Sequence, residues 1–243
     1  MSGFTIRSYS SSVTEWTCHM MNNEYVISKG KTTVYLFGSE QDAYICMRMT
    51  KVTDASYYYY LMSDKEVNAN NERVFIIRSG SVVNSYNTVC LSTSPLSSEQ
   101  YNVIVKRGSE DIARQWCPSP FLGNFYYTYN NGTGDTCGSG SVWDVCTNRT
   151  TMVFNYTMCS SVVAFSGREV FCVASVKSSG VIYLTVYNNG SVDAVKTYRY
   201  TCIAISSSGS SLVISLQKGK CDKGQSPFVL PSGGALAKLV PYC

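Results

Sequence analysis

A chain of 243 residues with 44% apolar side chains can fill one large or two ordinary domain cores. Only 15% of its residues are charged, against about 25% in a typical soluble domain, and Ser, Thr, Asn and 19 tyrosines take the vacated places. Residues 1–116 carry 11 basic and 11 acidic side chains and residues 117–243 carry 9 and 5, so the net +4 is dispersed over the second half and offers no concentrated basic footprint for nucleic acid.

In chain order the predicted elements are strands. A short F-T-I-R signal is followed by E-W-T-C-H-M-M-N-N-E-Y-V-I-S, T-T-V-Y-L-F-G and A-Y-I-C-M-R-M. These are Val-, Ile- and Tyr-rich runs separated by Gly, Asn, Asp and Ser, which is strand-and-turn spacing. Residues 56–62 and 72–78 continue the pattern. Residues 91–116, with Pro95 as a breaker, read as a linker holding a helical turn near Ser109–Arg114. From Cys117 the predicted strands are 121–129, about 150–158, 169–176, 180–187, 195–205 and 211–217. Asn130-Asn131-Gly132 and Asn188-Asn189-Gly190 mark turns, because Asn and Gly tolerate positive φ. Residues 218–235, rich in Gly, Ser, Pro and Lys, read as a second linker. The expected fold class is all-β: two antiparallel, disulfide-stapled modules, 1–116 and 117–243, each a barrel or a sandwich.

Eleven cysteines stand at 18, 46, 90, 117, 137, 146, 159, 172, 202, 221 and 243, with no C-x-x-C and a single histidine, His19. Zinc has poor ligand material here, and no metal or cofactor is expected. Disulfides in an oxidising compartment are the natural use of this sulfur. Four N-x-S/T triplets, at Asn131, Asn148, Asn155 and Asn189, add an expectation of N-glycosylation and secretion. No run approaches a membrane span, and the first residues hold no apolar leader segment.

The cysteine order recurs. W-T-C, Y-V-I-S, V-Y-L and Y-I-C-M-R-M over 16–49 answer to F-C-V, K-S-S-G, I-Y-L-T-V-Y and Y-T-C-I-A-I over 171–205. Cys18, Cys46, Cys90 and Cys117 thus correspond to Cys172, Cys202, Cys221 and Cys243. On this frame the first module lacks its opening strands, the chain is a piece of a tandem array, and Cys18–Cys46 and Cys172–Cys202 are the simplest pairings. The other seven cysteines stay unassigned, and an odd total leaves at least one unpaired within the chain.

The stretches C-P-S-P-F-L-G-N-F-Y-Y-T-Y-N, W-D-V-C-T-N, F-N-Y-T-M-C-S, A-F-S-G and Y-R-Y-T-C-I-A resemble cysteine-rich extracellular domains of unknown function. Such domains occur in tandem in secreted or membrane-anchored proteins of molluscs, arthropods and other invertebrates. The resemblance implies secretion, disulfides and β-modules, and it supplies no catalytic residue. F-L-G-N-F also resembles the first strand of ligand-holding up-and-down barrels, against which stands a core filled by side chains.

Catalytic material is sparse. His19 beside Cys18 reads as a polar neighbour of a disulfide cysteine rather than a nucleophile's base. Asp144, in W-D-V-C, reads as a turn residue, since no calcium ladder accompanies it. The unusual surface candidates are tyrosines: Tyr57 and Tyr59 in one strand, and Tyr126, Tyr127 and Tyr129 in another. Exposed tyrosine ladders suit sugar stacking or sheet contacts, whereas alternation along a strand buries half of them. The expected function is a non-enzymatic extracellular structural or assembly protein whose partners are copies of itself or flanking modules. An extracellular binding module, either a receptor ectodomain or a binder of carbohydrates or small ligands, is the alternative.

Overall fold

A computed structural model describes the chain apart from residues 1–4, 9–10, 37, 94, 135–136, 138–139, 155–168, 194–196 and 243. It is an all-β fold of antiparallel strands in two compact units, residues 1–50 with 59–96 and residues 51–58 with 97–243.

The strands of the first unit are β1 (Ile6–Ser8), β2 (Ser11–Val13), β3 (Trp16–Met21), β4 (Tyr25–Gly30), β5 (Val34–Leu36), β6 (Ser39–Lys51), the end of β7 (Ser56–Leu61), β8 (Lys65–Glu66), β9 (Glu72–Arg73) and β10 (Phe75–Arg78). β6 is the hub: β4, β5, β7 and β10 all pair with it, and β3 lies beyond β4. Ile27, Tyr44, Cys46, Val83 and Val89 form its buried cluster, with Met20, Phe75 and Ile77 packed against them. Asp42 is buried on β6, where Lys29 Nζ lies 2.8 Å away and Ser79 and Gly80 also donate to its carboxylate. The one-turn helix α1 (Tyr86–Val89) ends at Cys90, which bonds to Cys46.

The second unit is a closed eight-stranded barrel: β12 (Asn124–Asn130), β13 (Val142–Asp144), β14 (Thr151–Phe154), β15 (Glu169–Ser178), β16 (Val181–Tyr187), β17 (Tyr200–Ser208), β18 (Ser211–Lys218) and β19 (Ala235–Pro241), with β19 pairing back onto β12. β11 (Asn102–Val105) precedes it and pairs with β7, whose first residues belong to this unit. The K-S-S-G turn joins β15 to β16 as a two-residue loop in which Ser179 and Gly180 both have positive φ, 49° and 82°. Two positive φ angles match the right-handed twist of the flanking strands.

Alternation fills the barrel. On β12, Phe125, Tyr127 and Tyr129 are buried while Tyr126 and Thr128 face out; on β19, Ala235, Ala237 and Leu239 are buried while Lys238 and Val240 face out. Inside, Trp143 lies 4.4 Å from Phe154 and 5.7 Å from Phe121 between ring centroids, and Tyr127 meets both Trp143 and Phe154 edge-on. Side chains from all eight strands join this one cluster, so the interior is a packed core.

Residues 97–116, expected as linker, pack with this unit. Tyr101 donates its hydroxyl to the Tyr183 carbonyl (2.8 Å), and Gln115 N–H donates to the Cys172 carbonyl (2.7 Å). Val103 and Val105 lie against a cluster of Ala55, Ala113, Phe171, Val173 and Tyr187. β15 is therefore buried on both faces from Val170 to Ala174. The expected turn near Ser109 is a 3-10 helix, Glu110–Ala113, and Ser109 makes no side-chain cap. The region expected to link after 218 instead leads into β19, the strand that closes the barrel.

One detail of register occurs twice. β3 is bulged between Cys18 and Met20, and β15 between Cys172 and Ala174. Met20 faces Ile27, which faces Cys46; Ala174 faces Thr185, which faces Cys202. The strand order β11, β7, β6, β4, β3 is that of β19, β18, β17, β16, β15.

The expected pairings Cys18–Cys46 and Cys172–Cys202 are corrected by this geometry. β4 lies between Cys18 on β3 and Cys46 on β6, and β16 between Cys172 and Cys202. Two inter-strand spacings make about 10 Å, beyond the roughly 7 Å between Cα atoms that a disulfide spans. The bonds are instead Cys46–Cys90, Cys117–Cys172 and Cys202–Cys221, with Cα separations of 5.2, 5.3 and 5.1 Å. Cys137 is also disulfide-bonded. Cys18 and Cys146, expected in disulfides, are exposed free thiols, and Cys159 and Cys243 lie outside the described residues.

Candidate functional site

The tyrosine candidates separate by strand parity. Tyr59 (5% exposed), Tyr127 (3%) and Tyr129 (8%) are core residues, the outcome weighed against a surface ladder, and are not available as binding or assembly candidates; Tyr57 is half-buried. Tyr126 alone of the five is exposed, at 45%, because it falls on the outward parity of β12. Its ring stacks on Tyr242 at 4.3 Å. Beside Tyr126 the outer face of β12 and β19 forms a shallow depression of about 540 Å³, lined by Tyr126, Tyr127, Thr128, Gly140, Lys238 and Val240. Sequence reasoning missed Lys238, Val240 and Tyr242, whose place beside Tyr126 follows from barrel closure.

Tyr127 carries a different burden. Its hydroxyl is buried with no hydrogen-bond partner among the described residues, and burial, helped by neighbouring Tyr129, pushes its phenol up to about 12. Burial likewise pushes Tyr200 up to about 12. A folded-state pKa above the unfolded value of about 10 means that the fold holds the proton more tightly. The associated stability is complete below about pH 10 and is lost as pH rises through about 12. Tyr127→Phe is expected to leave stability at pH 7 within about 1 kcal/mol of wild type, since it removes an unpaired hydroxyl, and to shift alkaline unfolding to higher pH. Circular dichroism during a pH titration checks both.

The acid and base candidates are engaged structurally. His19 Nε2 donates to the Val83 carbonyl (2.8 Å), and its ring meets Tyr44 edge-on at 5.2 Å. Asp144 closes the turn after β13 by accepting from Cys146 N–H, Thr147 N–H and Thr147 Oγ1. Burial opposes its charge, but these hydrogen bonds outweigh it and hold the carboxyl below the usual range. Among the described residues no group of three or more His, Cys, Asp and Glu is placed to hold a metal.

Asn131, Asn148 and Asn189 are exposed, and Asn155 lies outside the described residues. Asn131 Oδ1 accepts from the N–H and hydroxyl of Thr133, and Asn148 Oδ1 accepts from those of Thr150. Each is a local turn in which the third residue of the triplet reaches back to the first.

Fold and sulfur together define a disulfide-stapled antiparallel β-protein with a packed barrel. A family model described as a Domain of unknown function (DUF7042) matches residues 115–232, from just before Cys117 to just short of β19. That region, which in this chain holds the bonds Cys117–Cys172 and Cys202–Cys221, is thus similar to a domain of unknown function. No curated protein and no solved structure matches the chain. Among the described residues no helix is long and apolar enough to cross a membrane.

Proposed function

We propose that the chain is a non-enzymatic extracellular structural or assembly protein, built from tandem disulfide-stapled β-modules that carry N-linked glycans and associate with copies of themselves. The observation that carries this reading is the recurring bulge and cross-strand triplet, Cys18–Met20 with Ile27 and Cys46, and Cys172–Ala174 with Thr185 and Cys202. Two sheets with the same strand order and the same bulge after the same cysteine are what duplication of one module produces. The bonds Cys46–Cys90 and Cys202–Cys221 then fall on equivalent positions, as repeats require. Disulfides point to an oxidising compartment, and exposed N-x-T turns at Asn131 and Asn148 suit glycan addition. Among the described residues β3 is an edge strand of the first sheet, an edge on which strand-to-strand association can occur.

Sedimentation velocity of the glycosylated chain, secreted from eukaryotic cells, tests this reading. Species several times the monomer mass are expected; a strict monomer at high protein concentration contradicts it.

The depression at Tyr126 favours a second reading, an extracellular binder that stacks a sugar or another flat ligand on that exposed ring. A glycan array with Tyr126→Ala as control separates the two.

A further inference from the structure

We propose that Trp116 is the surface on which the first sugar of an N-linked glycan on Asn148 rests. The inference rests on the glycosylated reading above and names, for one glycan, the side chain that holds it.

Trp116 is 72% exposed, whereas Trp16 and Trp143 are buried. Its ring is nonetheless held in place. On one side of it Gln115 N–H donates to the Cys172 carbonyl (2.7 Å). On the other, Cys117 N–H donates to the Arg149 carbonyl (2.8 Å), and Cys117 is bonded to Cys172. The Arg149 guanidinium lies over the ring, 5.8 Å from its centroid. One face is thus braced, and the exposure of the residue leaves the other open. An open indole on a fixed backbone is preorganised for a contact, because little freedom is lost when the contact forms.

The neighbour of this ring is a glycosylation triplet. Residues 114–117 run antiparallel beside 149–151, since Arg114 Nη1 donates to Thr151 Oγ1 (3.1 Å) while Cys117 donates to Arg149. Trp116 therefore lies alongside Asn148-Arg149-Thr150. Asn148 is exposed, and its Oδ1 accepts from the N–H and hydroxyl of Thr150. Its Nδ2, the atom that takes a sugar, makes no hydrogen bond among the described residues. A cavity of about 280 Å³ opens beside the ring, and Gln115, Lys51 and Ser175 on its lining suit sugar hydroxyls. All these residues belong to the second unit. A pyranose carries C–H groups on one face and hydroxyls around its rim, so it rests on an aromatic ring while its rim stays hydrated.

The sugar is delivered by a lipid-linked oligosaccharyl diphosphate. Asn148 Nδ2 attacks the anomeric carbon. The new C–N bond forms as the C–O bond to the diphosphate breaks, and the diphosphate leaves with the electron pair. Nδ2 gives up one proton, and nothing is oxidised or reduced.

The experiment uses the full chain secreted from eukaryotic cells, with glycopeptide mass spectrometry, acrylamide quenching of tryptophan fluorescence and thermal unfolding. Because Trp16 and Trp143 are buried, the quenchable emission belongs to Trp116. Asn148 is expected to be occupied and Trp116 shielded. Trimming the glycan to one N-acetylglucosamine with an endoglycosidase keeps the shielding. Asn148→Gln, or enzymatic removal of that last sugar, abolishes it and lowers Tm by about 2–4 °C. Asn131→Gln, in the turn that follows β12, leaves Trp116 shielded. In Trp116→Ala, removal of the sugar no longer moves Tm. An unoccupied Asn148 in a chain glycosylated elsewhere overturns the proposal and leaves the glycosylated reading standing. So does an occupied Asn148 with Trp116 as quenchable as in the deglycosylated chain. A chain secreted with no glycan at any triplet overturns both.

Discussion

A chain ending at Gly234 is expected to lose the cooperative unfolding of its barrel while the first unit keeps its own. β19 pairs with β12 from Leu236↔Asn130 to Pro241↔Phe125 and with β18 from Ala235↔Leu216 to Leu239↔Leu212. Removing it turns a closed sheet into one with two open edges and strips Ala235, Ala237 and Leu239 from the core cluster. Edges with unpaired backbone groups recruit other chains, so aggregation is expected to accompany the loss. Two substitutions separate burial from mere presence of the strand. Leu239→Ala removes a fully buried side chain and is expected to cost about 2–5 kcal/mol. Lys238→Ala changes an outward residue and is expected to stay within about 0.5 kcal/mol. Urea unfolding followed by tryptophan fluorescence measures all three, with Trp143 in the barrel core as a reporter.

The second large effect concerns which cysteines act together. Cys117–Cys172 closes 55 residues, and a loop of that length is worth about 4 kcal/mol by chain entropy. Cys117→Ala and Cys172→Ala are expected to cost similar amounts, and the double substitution little more than either one, because both break one bond. Cys172→Ala and Cys202→Ala break different bonds, Cys202 being joined to Cys221 across 19 residues. Their costs are expected to add, with about 3 kcal/mol from the shorter loop. A 172–202 bond, the pairing suggested by the linear spacing, makes the opposite pattern.

The contrast shows what the sequence carried and where it stopped. Val-, Ile- and Tyr-rich runs bounded by Asn-Gly and Ser-Gly turns placed β15, β16 and β18 within a few residues, because period-2 burial and positive-φ turns are local properties. The correspondence of Cys18 with Cys172 was also legible and recurs in the two bulges. Disulfide partners were not. A separation near 30 residues between successive cysteines looks like one short loop, yet it holds two turns and a whole strand, β4 or β16, and that strand keeps the sulfurs apart. β19 escaped notice because its inward residues include Ala235 and Ala237, small side chains that make weak alternation, after a Gly- and Pro-rich approach. Gly234 in that approach is required by packing: a Cβ there collides with the Leu216 carbonyl oxygen. The tyrosines of β12 could be sorted only by knowing which parity faces the core, and barrel closure decides that.

Mapping of disulfide-linked peptides in the native, unreduced chain tests the account most directly. Thiols are blocked at low pH before digestion, and linked peptides are sequenced by mass spectrometry. The account predicts Cys46 with Cys90, Cys117 with Cys172 and Cys202 with Cys221, and a Cys18 absent from any bond to Cys46. Recovery of Cys18 linked to Cys46, or of Cys172 linked to Cys202, contradicts it, because no sheet with β4 or β16 in its observed place can hold either bond.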